Sequence, residues 1–535
     1  MATPKPTWSV ANIGQLKKVT PKVATHVSVL GYHAPNDGGG GIFDWDFKSK
    51  QPEDHGTVFE QVLKPKLGRW KRRFQGSLNI KWFGAYGDWN SKTASGHDDF
   101  EALTFAARAM NRAKGGILVF PPGTYRIDRQ TTKTSLGNGL DDIIYENCSR
   151  LTLIGHRAVI DVKGDIRRTE PEIRAIQPFV FKNCSKVRMQ GFELNGNVDK
   201  MWRPQGVAGF DQAGSGIVFG FGSSNYSIAD CYVHHFSTDG IYLGWSDPKG
   251  RPATPAKADT SVELSSVVSK FNARNGLSLI SVRGGRFQYC DFSENGRAEG
   301  EYGPVASMVG IDIEPSFAAT PATGDLKFFS CTSIDNAGMG VSVTLADRCD
   351  FSDCLFWGTD NYSVKVDAPR TTFERCRIYG ECLSTVADAI ALPRYSGCSF
   401  EDRDYETVSF KREAHRPYAC ISTENGAVEL DYCNIVANHT KAVATGMGTQ
   451  SGQSRIANAI VTHKWSDCPS NDQAHGFQSL IVNCVLDVVE FREDLKGTGP
   501  WYIDARDVTL IGRVMVDGPN VHWQALNGPV GLINS

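Results

Sequence analysis

The sequence predicts an all-β solenoid built from short parallel strands, and three observations support that fold class. Cysteines recur every 22 residues at Cys354, Cys376 and Cys398, in the similar contexts "FSDCLFWG", "FERCRIYG" and "YSGCSFED". A second series, out of phase with the first, puts a glycine before a short alternating strand, as in "GIYLG" at Gly240 and "GIDIE" at Gly310. Only one segment has strong helical character. Short strands and turns with a period near 22 residues are typical of stacked solenoid coils.

The cysteines are predicted to form an inward ladder of reduced thiols. The chain has 14 cysteines and no CxxC pair, and their spacing matches no zinc motif. They recur at one strand position beside apolar residues, where cysteine acts as a small hydrophobic side chain. Disulfides are the alternative, because spacing alone does not fix a pairing.

A single amphipathic helix is predicted over residues 98–113. Its apolar stripe consists of Phe100, Leu103, Ala107 and Met110. Asp98 or Asp99 is expected to cap the start of the helix, and Gly115 is expected to end it. The first coil of a solenoid leaves apolar surface and strand edges uncovered, so we expect this helix to cover the N-terminal end.

The composition disfavours two classes of partner. Hydrophobic residues make up 41% of the chain and the net charge is −2, which fits a globular protein and disfavours nucleic acid or an anionic membrane as the main partner. No apolar run approaches the roughly 20 residues of a membrane span. The first residues, "MATPKPTWSV", lack the apolar stretch of a signal peptide, so we expect synthesis in the cytosol or removal of a leader before Met1.

Residues 82–127 carry a resemblance to a known family. The segment contains "GAYGD", then "DDFEALTFAARAMNRAKGG", then "ILVFPPGTYRI". It resembles the opening of pectate-lyase-like right-handed parallel β-helix proteins, in which a GAxGD turn, an acidic pair before a helix, GG, a strand and PPGTY follow in this order. Upstream, "VSVLGYHAPNDGGGGIFDWD" and "GRWKRRF" resemble the head region of phage tailspikes and related bacterial β-helix polysaccharide enzymes.

This resemblance implies right-handed coils, an elongated domain and polysaccharide binding along one side. It does not fix one chemistry, because hydrolases, lyases, transferases and passive adhesins share the fold. The sequence lacks the WIDH-type motif of pectate lyases and the "GHG" pattern of polygalacturonases, which disfavours a plain pectin function. The tailspike resemblance also implies an extracellular, periplasmic or virion-associated location and a homotrimer.

Three regions are predicted along the chain. Residues 1–80 form an N-terminal head or cap region, residues 81–405 form the right-handed parallel β-helix, and residues 406–535 form further coils or a C-terminal assembly region. The last region still contains coil-like pieces, "LDYCNIVAN" and "LIVNCVLDV", without a clean period.

The glycine series also locates a candidate site. Successive glycines from Gly240 to Gly340 are 36, 34 and 30 residues apart, well above the 22-residue coil. The extra residues must leave the stack as loops, and the candidates are residues 246–259, 297–308 and 317–325. Because binding sites form on loops held by a rigid scaffold, the strand among these loops is the predicted site.

The strand in "GIDIEPS" carries the candidate catalytic residues. Ile311 and Ile313 are predicted to face the core, and Asp312 and Glu314 the opposite side. Alpha carbons two residues apart on a strand are separated by about 6.6 Å, which suits the two carboxyl groups of a glycoside hydrolase. Glu314 is expected to be the general acid and Asp312 the base or nucleophile, with Asp239 as a further catalytic candidate. The alternative is that these acids are ordinary solvated surface groups.

Stacking of the coils predicts the neighbours of these acids. Asp312 is expected between Ser278 and Ser342, with Tyr242 two coils back on the same row. Trp245 is expected to stack on a sugar ring, because both rings offer an apolar face. The predicted substrate-binding residues are Tyr242, Trp245, His235, Arg274, Arg283, Ser278 and Tyr302.

Three functions are compatible with these residues. The first is a glycoside hydrolase that uses no cofactor and cleaves a bacterial or plant polysaccharide. The second is a polysaccharide lyase, which needs a base and a cation to neutralise a uronate. These groups would come from Arg274, Arg283, Tyr242 and His235. Ca²⁺, which prefers oxygen ligands, would then be held by Asp312, Glu314 and Asp239. The third is a tail or adhesin protein that binds glycan without cutting it.

Overall fold

The computed structural model describes most of the chain, and the described residues fall into two compact units. The described ranges are 8–62, 67–131, 142–207, 210, 214–245, 258–297, 300–315, 323–357, 362–386, 391–402, 418–438, 440–447, 452–464, 479–493, 501–517, 521–525 and 533–534. Among them, unit 1 contains residues 8–237 and 300–302, and unit 2 contains residues 238–297 and those from 303 onward.

Unit 1 begins with a small five-stranded sheet. Its strands are β1 (Trp8–Val10), β2 (His26–Val29), β3 (Gly41–Asp46), β4 (Val58–Phe59) and β5 (Arg69–Arg72), and a short helix, α1 (Ile13–Leu16), follows β1. The strand order is β1-β2-β3-β5-β4, with β1 and β2 parallel and the other pairs antiparallel. Leu16, Val27, Phe43, Phe59 and Trp70 form the centre of its buried core.

The rest of unit 1 is built from coils of parallel strands. They are β6 (Leu78–Asn79), β7 (Gly116–Val119), β8 (Gly123–Ile127), β9 (Ile144–Glu146), β10 (Leu151–Val162), β11 (Phe179–Lys182), β12 (Arg188–Asn195), β13 (Ile217–Gly220), β14 (Ser224–Ala229) and β15 (Tyr232–His234), with 3-10 turns at Ile80–Phe83 and Val198–Lys200. Strand β10 pairs with β7 and β8 of one coil and with β12 of another, always in parallel.

The predicted helix is present as α2 (Phe100–Ala113). Its buried face contains Ala102, Leu103, Ala106, Ala107, Ala109 and Met110, and it packs against β7 and β9. Asp99 is the N-cap residue, but its side chain makes no capping hydrogen bond. The side chain of Asp98 satisfies the first turn instead, because its Oδ1 accepts a hydrogen bond from Phe100 N at 3.0 Å. Gly115 does not take the left-handed position at the end, as the sequence suggested; Lys114 takes it, with φ 60°, and donates from its backbone to the last turn. In the described part of the chain, no helix is long and apolar enough to cross a membrane.

Unit 2 continues with parallel strands throughout its described residues. They are β16 (Ile241–Trp245), β17 (Asp259–Ser265), β18 (Val268–Lys270), β19 (Leu277–Leu279), β20 (Val282–Gln288), β21 (Ile311–Ile313), β22 (Gly324–Phe329), β23 (Thr332–Ile334), β24 (Val341–Val343), β25 (Asp347–Ser352), β26 (Leu355–Trp357), β27 (Val364–Val366), β28 (Thr372–Glu374), β29 (Arg377–Tyr379), β30 (Cys382–Ser384), β31 (Arg394–Ser396), β32 (Ser399–Glu401), β33 (Ala419–Glu424), β34 (Glu429–Asp431), β35 (Asn434–Ala437), β36 (Lys441–Met447), β37 (Ser454–His463), β38 (Ser479–Glu493), β39 (Trp501–Leu510), β40 (Val514–Asp517), β41 (Val521–Ala525) and β42 (Ile533–Asn534).

These strands stack coil upon coil, which confirms the predicted parallel β-helix. One face runs through β16, β19, β21, β24, β27 and β30. A second runs through β17, β20, β22, β25, β28 and β31. A third runs through β23, β26, β29 and β32. Each strand pairs with its equivalent one coil later, and every one of these pairs is parallel.

Aromatic rings form a ladder in the interior of unit 2. Five rings from successive coils stack with centroids 4.4 to 4.8 Å apart and planes within 11° of each other. The ladder consists of Phe287, Phe328, Phe351, Phe373 and Tyr395. The separation matches the spacing of neighbouring strands, so the backbone pairing sets the ring stacking.

Buried serines and asparagines leave no room for a side chain at the glycines that precede strands of this unit. Asn272, Asn295 and Asn336 are fully buried, and their side chains hydrogen-bond one another at 2.9 and 3.1 Å. A Cβ on Gly240 would lie 2.0 Å from Ser269 Oγ and 2.6 Å from the Asn272 amide nitrogen. One on Gly310 would lie 2.0 Å from Ser333 Oγ and 2.5 Å from the Asn336 amide nitrogen. The glycine series is therefore required by space at these positions.

The ladder cysteines are buried and reduced, as predicted, and the structure shows a further reason for cysteine at these positions. Thirteen cysteines are described, all buried and with free thiols. The residue before each ladder cysteine has a left-handed conformation, as at Asp353 (φ 56°) and Arg375 (φ 51°). The thiol donates to the carbonyl two residues earlier, at 3.3 Å for Cys354 and 3.5 Å for Cys376. Cysteine thus fills a small apolar space and also satisfies a carbonyl at the turn.

We expect the thiols to be unreactive in the native protein. Cys468 lies outside the described residues, so the assay uses a Cys468→Ser background, in which every remaining cysteine is a buried one. A thiol reagent should label fewer than about one cysteine per chain quickly, and all of them after denaturation, because buried thiols are inert. Fast labelling of several native thiols, or bridged peptides in mass spectrometry, would contradict the ladder.

Candidate active site

The strand of "GIDIEPS" has the predicted faces and neighbours. Ile311 and Ile313 are completely buried in the core of unit 2. Asp312 pairs in register with Ser278 of β19 on one side and with Ser342 of β24 on the other. Tyr242 of β16 pairs in turn with Ser278. The predicted row of outward side chains around Asp312 is therefore confirmed.

Asp312 is far more buried than a surface acid. Only 7% of the residue is exposed, whereas Glu314, just beyond the end of β21, is exposed. Two side chains cover the Asp312 carboxyl group: Asn275 Nδ2 donates to Oδ2 at 3.0 Å, and Ser307 Oγ donates to the same oxygen at 3.4 Å. The two neighbouring carboxyl groups therefore have different environments.

This environment changes the acidity of both groups. Burial, together with the nearby charges of Glu314 and Asp239, raises the pKa of Asp312 to about 7, although Arg274 acts in the opposite direction. Partial burial and Asp239 also raise the pKa of Glu314, while Arg274 opposes the shift. Asp312 is therefore a carboxylic acid that holds its proton near neutral pH.

Asp239 is the buried partner of Arg274. It is 0% exposed, and its Oδ1 and Oδ2 accept from Arg274 Nε at 2.7 Å and Nη2 at 2.5 Å. The backbone N–H of Asn275 adds a third hydrogen bond to Oδ1, at 3.2 Å. Burial alone would lower the pKa of Arg274, but the contact with Asp239 raises it above its ordinary value. Asp239 thus acts on the site through the guanidinium that it holds, rather than through an exposed oxygen.

Tyr242 and Ser278 complete the row beside Asp312. Burial and then the charge of Asp239 raise the pKa of Tyr242, so its phenol remains protonated and can donate a hydrogen bond. Ser278 is almost fully buried, and its Oγ accepts from Asn275 Nδ2 at 3.1 Å. The side chain of Trp245, at the end of β16, lies outside the described residues.

Arg283 belongs to a different group of charges in unit 2. It lies on β20, on the second face, where its Nε is 3.1 Å from Asp325 Oδ2 and its Nη2 is 3.7 Å from Asp347 Oδ2. Arg348 contacts both of these acids, and Arg370 contacts Asp347. None of the contacts of Arg283 involves the Asp312 row, so its predicted substrate role lacks structural support.

His235 and Tyr302 belong to unit 1. The Nδ1 atoms of His234 and His235 are 2.7 Å apart, and burial followed by the neighbouring His235 lowers the pKa of His234 to about 3. Tyr302 is completely buried, with Arg203 over its ring at 5.0 Å. A fully buried ring presents no face to a glycan, which removes the basis for the substrate-binding role predicted for Tyr302.

Two residues of the site were missed by the sequence analysis. Asn275 stands immediately before Gly276, just as Asp239 stands before Gly240, so aligning the glycine series would have found it. Ser307 comes from the inserted loop before β21, and no spacing in the sequence indicates where its hydroxyl lies.

The three acids do not converge on one point that could hold a metal ion. The Arg274 guanidinium occupies both oxygens of Asp239, and Asp312 Oδ2 receives hydrogen bonds from uncharged donors. Within the described ranges, no group of three or more His, Cys, Asp or Glu side chains has a geometry suited to a metal ion.

The N-terminal sheet matches a known protein family. Residues 9–75 match the model of the phage tail protein small four-stranded beta-sheet domain. No curated protein matches the chain.

The chain is also similar to several solved structures at low identity. It is 12% identical to tailspike protein gp49 of Acinetobacter baumannii bacteriophage Fri1, a capsular polysaccharide depolymerase, over 96% of this chain and 76% of that one, with a TM-score of 0.43. It is 10% identical to the enzymatically active domain of tailspike protein 2 of bacteriophage CBA120, over 93% and 57%, with a TM-score of 0.42. It is 13% identical to the A-module of the Azotobacter vinelandii mannuronan C-5 epimerase AlgE4, over 83% and 99%, with a TM-score of 0.40.

Burial of Asp312 should appear in the pH dependence of stability. Because its pKa is raised from 3.8 to about 7, the folded state binds more protons than the unfolded state between these values. Its contribution to the free energy of unfolding therefore falls as the pH rises from about 4 to about 7, and is constant above that. Asp312→Asn removes this loss, so the variant should be more stable than the wild type at pH 8, by about 2 to 4 kcal/mol, and not at pH 4.

Asp353→Asn is the matched control for this measurement. Arg375 lowers the pKa of Asp353, so this substitution should decrease stability at pH 8. Urea unfolding at both pH values measures the two effects. An Asp312→Asn variant that is less stable than the wild type at pH 8 would contradict the shifted acid.

Proposed function

We propose that unit 2 carries a glycoside hydrolase site whose acid and base are Asp312 and Glu314. The observation that carries this proposal is the buried Asp312 carboxyl group, with a pKa of about 7, two residues from the exposed Glu314. Pairs of carboxyl groups whose environments separate their pKa values are typical of acid and base pairs in glycosidases.

The proposed roles are the reverse of those expected from sequence. Burial and the nearby charges of Glu314 and Asp239 raise the pKa of Asp312 to about 7, so it suits the general acid. Glu314 is exposed to water, so it suits the base or nucleophile. In this scheme Asp312 gives its proton to the glycosidic oxygen as the bond from that oxygen to the anomeric carbon breaks. Glu314 activates a water for attack on the same carbon, or attacks it directly.

A lyase has less support from the same residues. Elimination needs a base, but Arg274 is held by Asp239 and its pKa is raised, and the pKa of Tyr242 is also raised. Both side chains therefore keep their protons near neutral pH. Arg283 is occupied by Asp325 and Asp347 on another face.

Two resemblances support a glycan as the substrate: residues 82–127 resemble pectate-lyase-like parallel β-helix proteins, and the segment upstream resembles tailspikes and bacterial β-helix polysaccharide enzymes. The match of residues 9–75 to a phage tail domain supports a virion-associated or extracellular location. The proposed partner is thus a polysaccharide met outside the cell that made the protein.

The assembly is proposed to be a homotrimer, on the resemblance of the head region to tailspikes. Light scattering on the purified chain should then give a mass of three times 58.6 kDa. A monomeric mass at micromolar concentration would contradict the trimer.

Turnover of a polysaccharide panel tests the proposed site. The wild-type protein should release reducing ends without the ultraviolet absorbance of an unsaturated uronate. Asp312→Asn and Glu314→Gln should each lower turnover by about a hundredfold or more, which is the scale of losing a positioned acid or base. Glu374→Gln, which removes an exposed carboxylate on β28, is the control and should keep full activity.

Each other result selects another function. Unsaturated product ends that disappear with a chelator would select the lyase. Glycan binding without any product would select a passive adhesin. Full activity in both Asp312→Asn and Glu314→Gln would reject this pair of acids as the site.

A further inference from the structure

Asn275 is fixed in one orientation beside the proposed acid. Its amide oxygen accepts from Val309 N at 2.8 Å and from Ser307 Oγ at 3.2 Å. Its amide nitrogen donates to Ser278 Oγ at 3.1 Å and to Asp312 Oδ2 at 3.0 Å. A backbone N–H can only meet the oxygen of the amide, so Val309 determines which end of Asn275 faces Asp312.

The amide is also too buried to turn. Asn275 is 1% exposed, and both donor hydrogens and the amide oxygen are engaged. A flip would oppose two donors at Val309 and leave buried polar groups without partners, which is costly. Asn275 therefore presents a permanent N–H donor to Asp312.

The two oxygens of Asp312 are consequently not equivalent. Oδ2 accepts from Asn275 and Ser307, and in the described part of the chain no residue hydrogen-bonds Oδ1. Ser307 Oγ has a single hydrogen, which Asn275 Oδ1 and Asp312 Oδ2 share, so the fixed donor to Oδ2 is the Asn275 N–H. A proton on Oδ2 would compete with that N–H for the same oxygen. The neutral acid therefore keeps its proton on Oδ1.

We propose that Asn275 is a positioning residue that confines the acidic proton of Asp312 to Oδ1, the oxygen left for the substrate. The inference deepens the proposed hydrolase and rests on it for the meaning of that proton. The donated hydrogen bond also stabilises the ionised carboxylate, so Asn275 limits how far burial raises the Asp312 pKa.

The charges around Asp312 act in addition to this contact. Glu314 comes from the end of its own strand, Asp239 from the turn before β16, Tyr242 from β16 and Arg274 from the turn before β19. On the β24 side the neighbour is the uncharged Ser342. Among the described residues, only Asn275 and Ser307 donate to Asp312. Burial and the neighbouring charges therefore raise the proton affinity of Asp312, and the amide of Asn275 limits that rise and sets the proton position.

Asn275→Ala and Asn275→Leu test the proposal, with Asn295→Ala as the control. The leucine variant keeps nearly the shape of asparagine without adding a donor or a charge, and it serves if the alanine variant does not fold. Asn295 is equally buried but hydrogen-bonds Asn336 rather than Asp312. Protein labelled with ¹³C at the aspartate carboxyl carbon is titrated by NMR, and the Asp312 signal is identified by its loss in Asp312→Asn.

Both Asn275 variants should raise the Asp312 pKa by about one unit, and Asn295→Ala should leave it unchanged. An unchanged Asp312 pKa in both Asn275 variants would overturn the proposal. This titration needs no substrate. It therefore still tests whether the Asn275 hydrogen bond acts on Asp312 if no glycan is turned over and the proposed function fails.

Kinetics test the positioning itself. Asn275→Ala should lower kcat by about tenfold with little change in KM, because the proton is no longer held in one direction. The alkaline limb of the kcat profile, which follows the acid, should move to higher pH with the Asp312 pKa. A purely structural role would lower activity without moving this limb. A wild-type kcat in a variant whose Asp312 pKa has risen would overturn the positioning role.

Discussion

Pairing of each strand with its equivalent one coil later is the constraint on which the rest of unit 2 depends. Parallel pairing fixes neighbouring strands about 4.8 Å apart, so side chains at equivalent positions must stack. The inward rows satisfy this with groups that stack well: aromatic rings at 4.4 to 4.8 Å, asparagine amides, and cysteine thiols. The opposite row of side chains does not point into the interior of the coils, so it can carry a different residue on every coil. Tyr242, Ser278, Asp312 and Ser342 are successive members of this row.

The same stacking makes charge at the site difficult to hold. Neighbouring carboxylates repel one another, and here the charges of Asp239 and Glu314 add to burial in raising the Asp312 pKa, while Arg274 reduces the effect. Asp239 faces Arg274, the next residue along is the neutral Asn275, and only then comes Asp312. A buried ion pair such as Asp239 with Arg274 contributes little net stability, but losing one partner leaves an uncompensated buried charge. The pair is thus better explained as the fixed electrostatic background of Asp312 than as a source of stability.

The period of the sequence correctly predicted which residues of successive coils lie beside one another. From the spacing of glycines alone, Asp312 falls between Ser278 and Ser342, as the register has it. Helix α2 followed from its apolar stripe, although Lys114 rather than Gly115 takes the left-handed position at its end. Spacing carries no information on depth, however. It could not indicate that the hydroxyl of Ser307 lies on Asp312, that Tyr302 is buried, or that Asp239 turns inward to Arg274.

The difference in burial between Asp312 and Glu314 also gives the two acids different chemical properties. Asp312 and Glu314 are two residues apart on or beside the same short strand, and a bare strand would give them similar surroundings. The inserted segment before β21 brings Ser307 over Asp312 but leaves Glu314 partly exposed to water. Burial then raises the pKa of the covered acid to about 7. The register of β21 therefore sets the positions of the two acids. The inserted segment before β21 determines which of them is buried and keeps its proton. In such a scaffold the strength of an acid can change through the length of a loop, with no change in the strand that carries it.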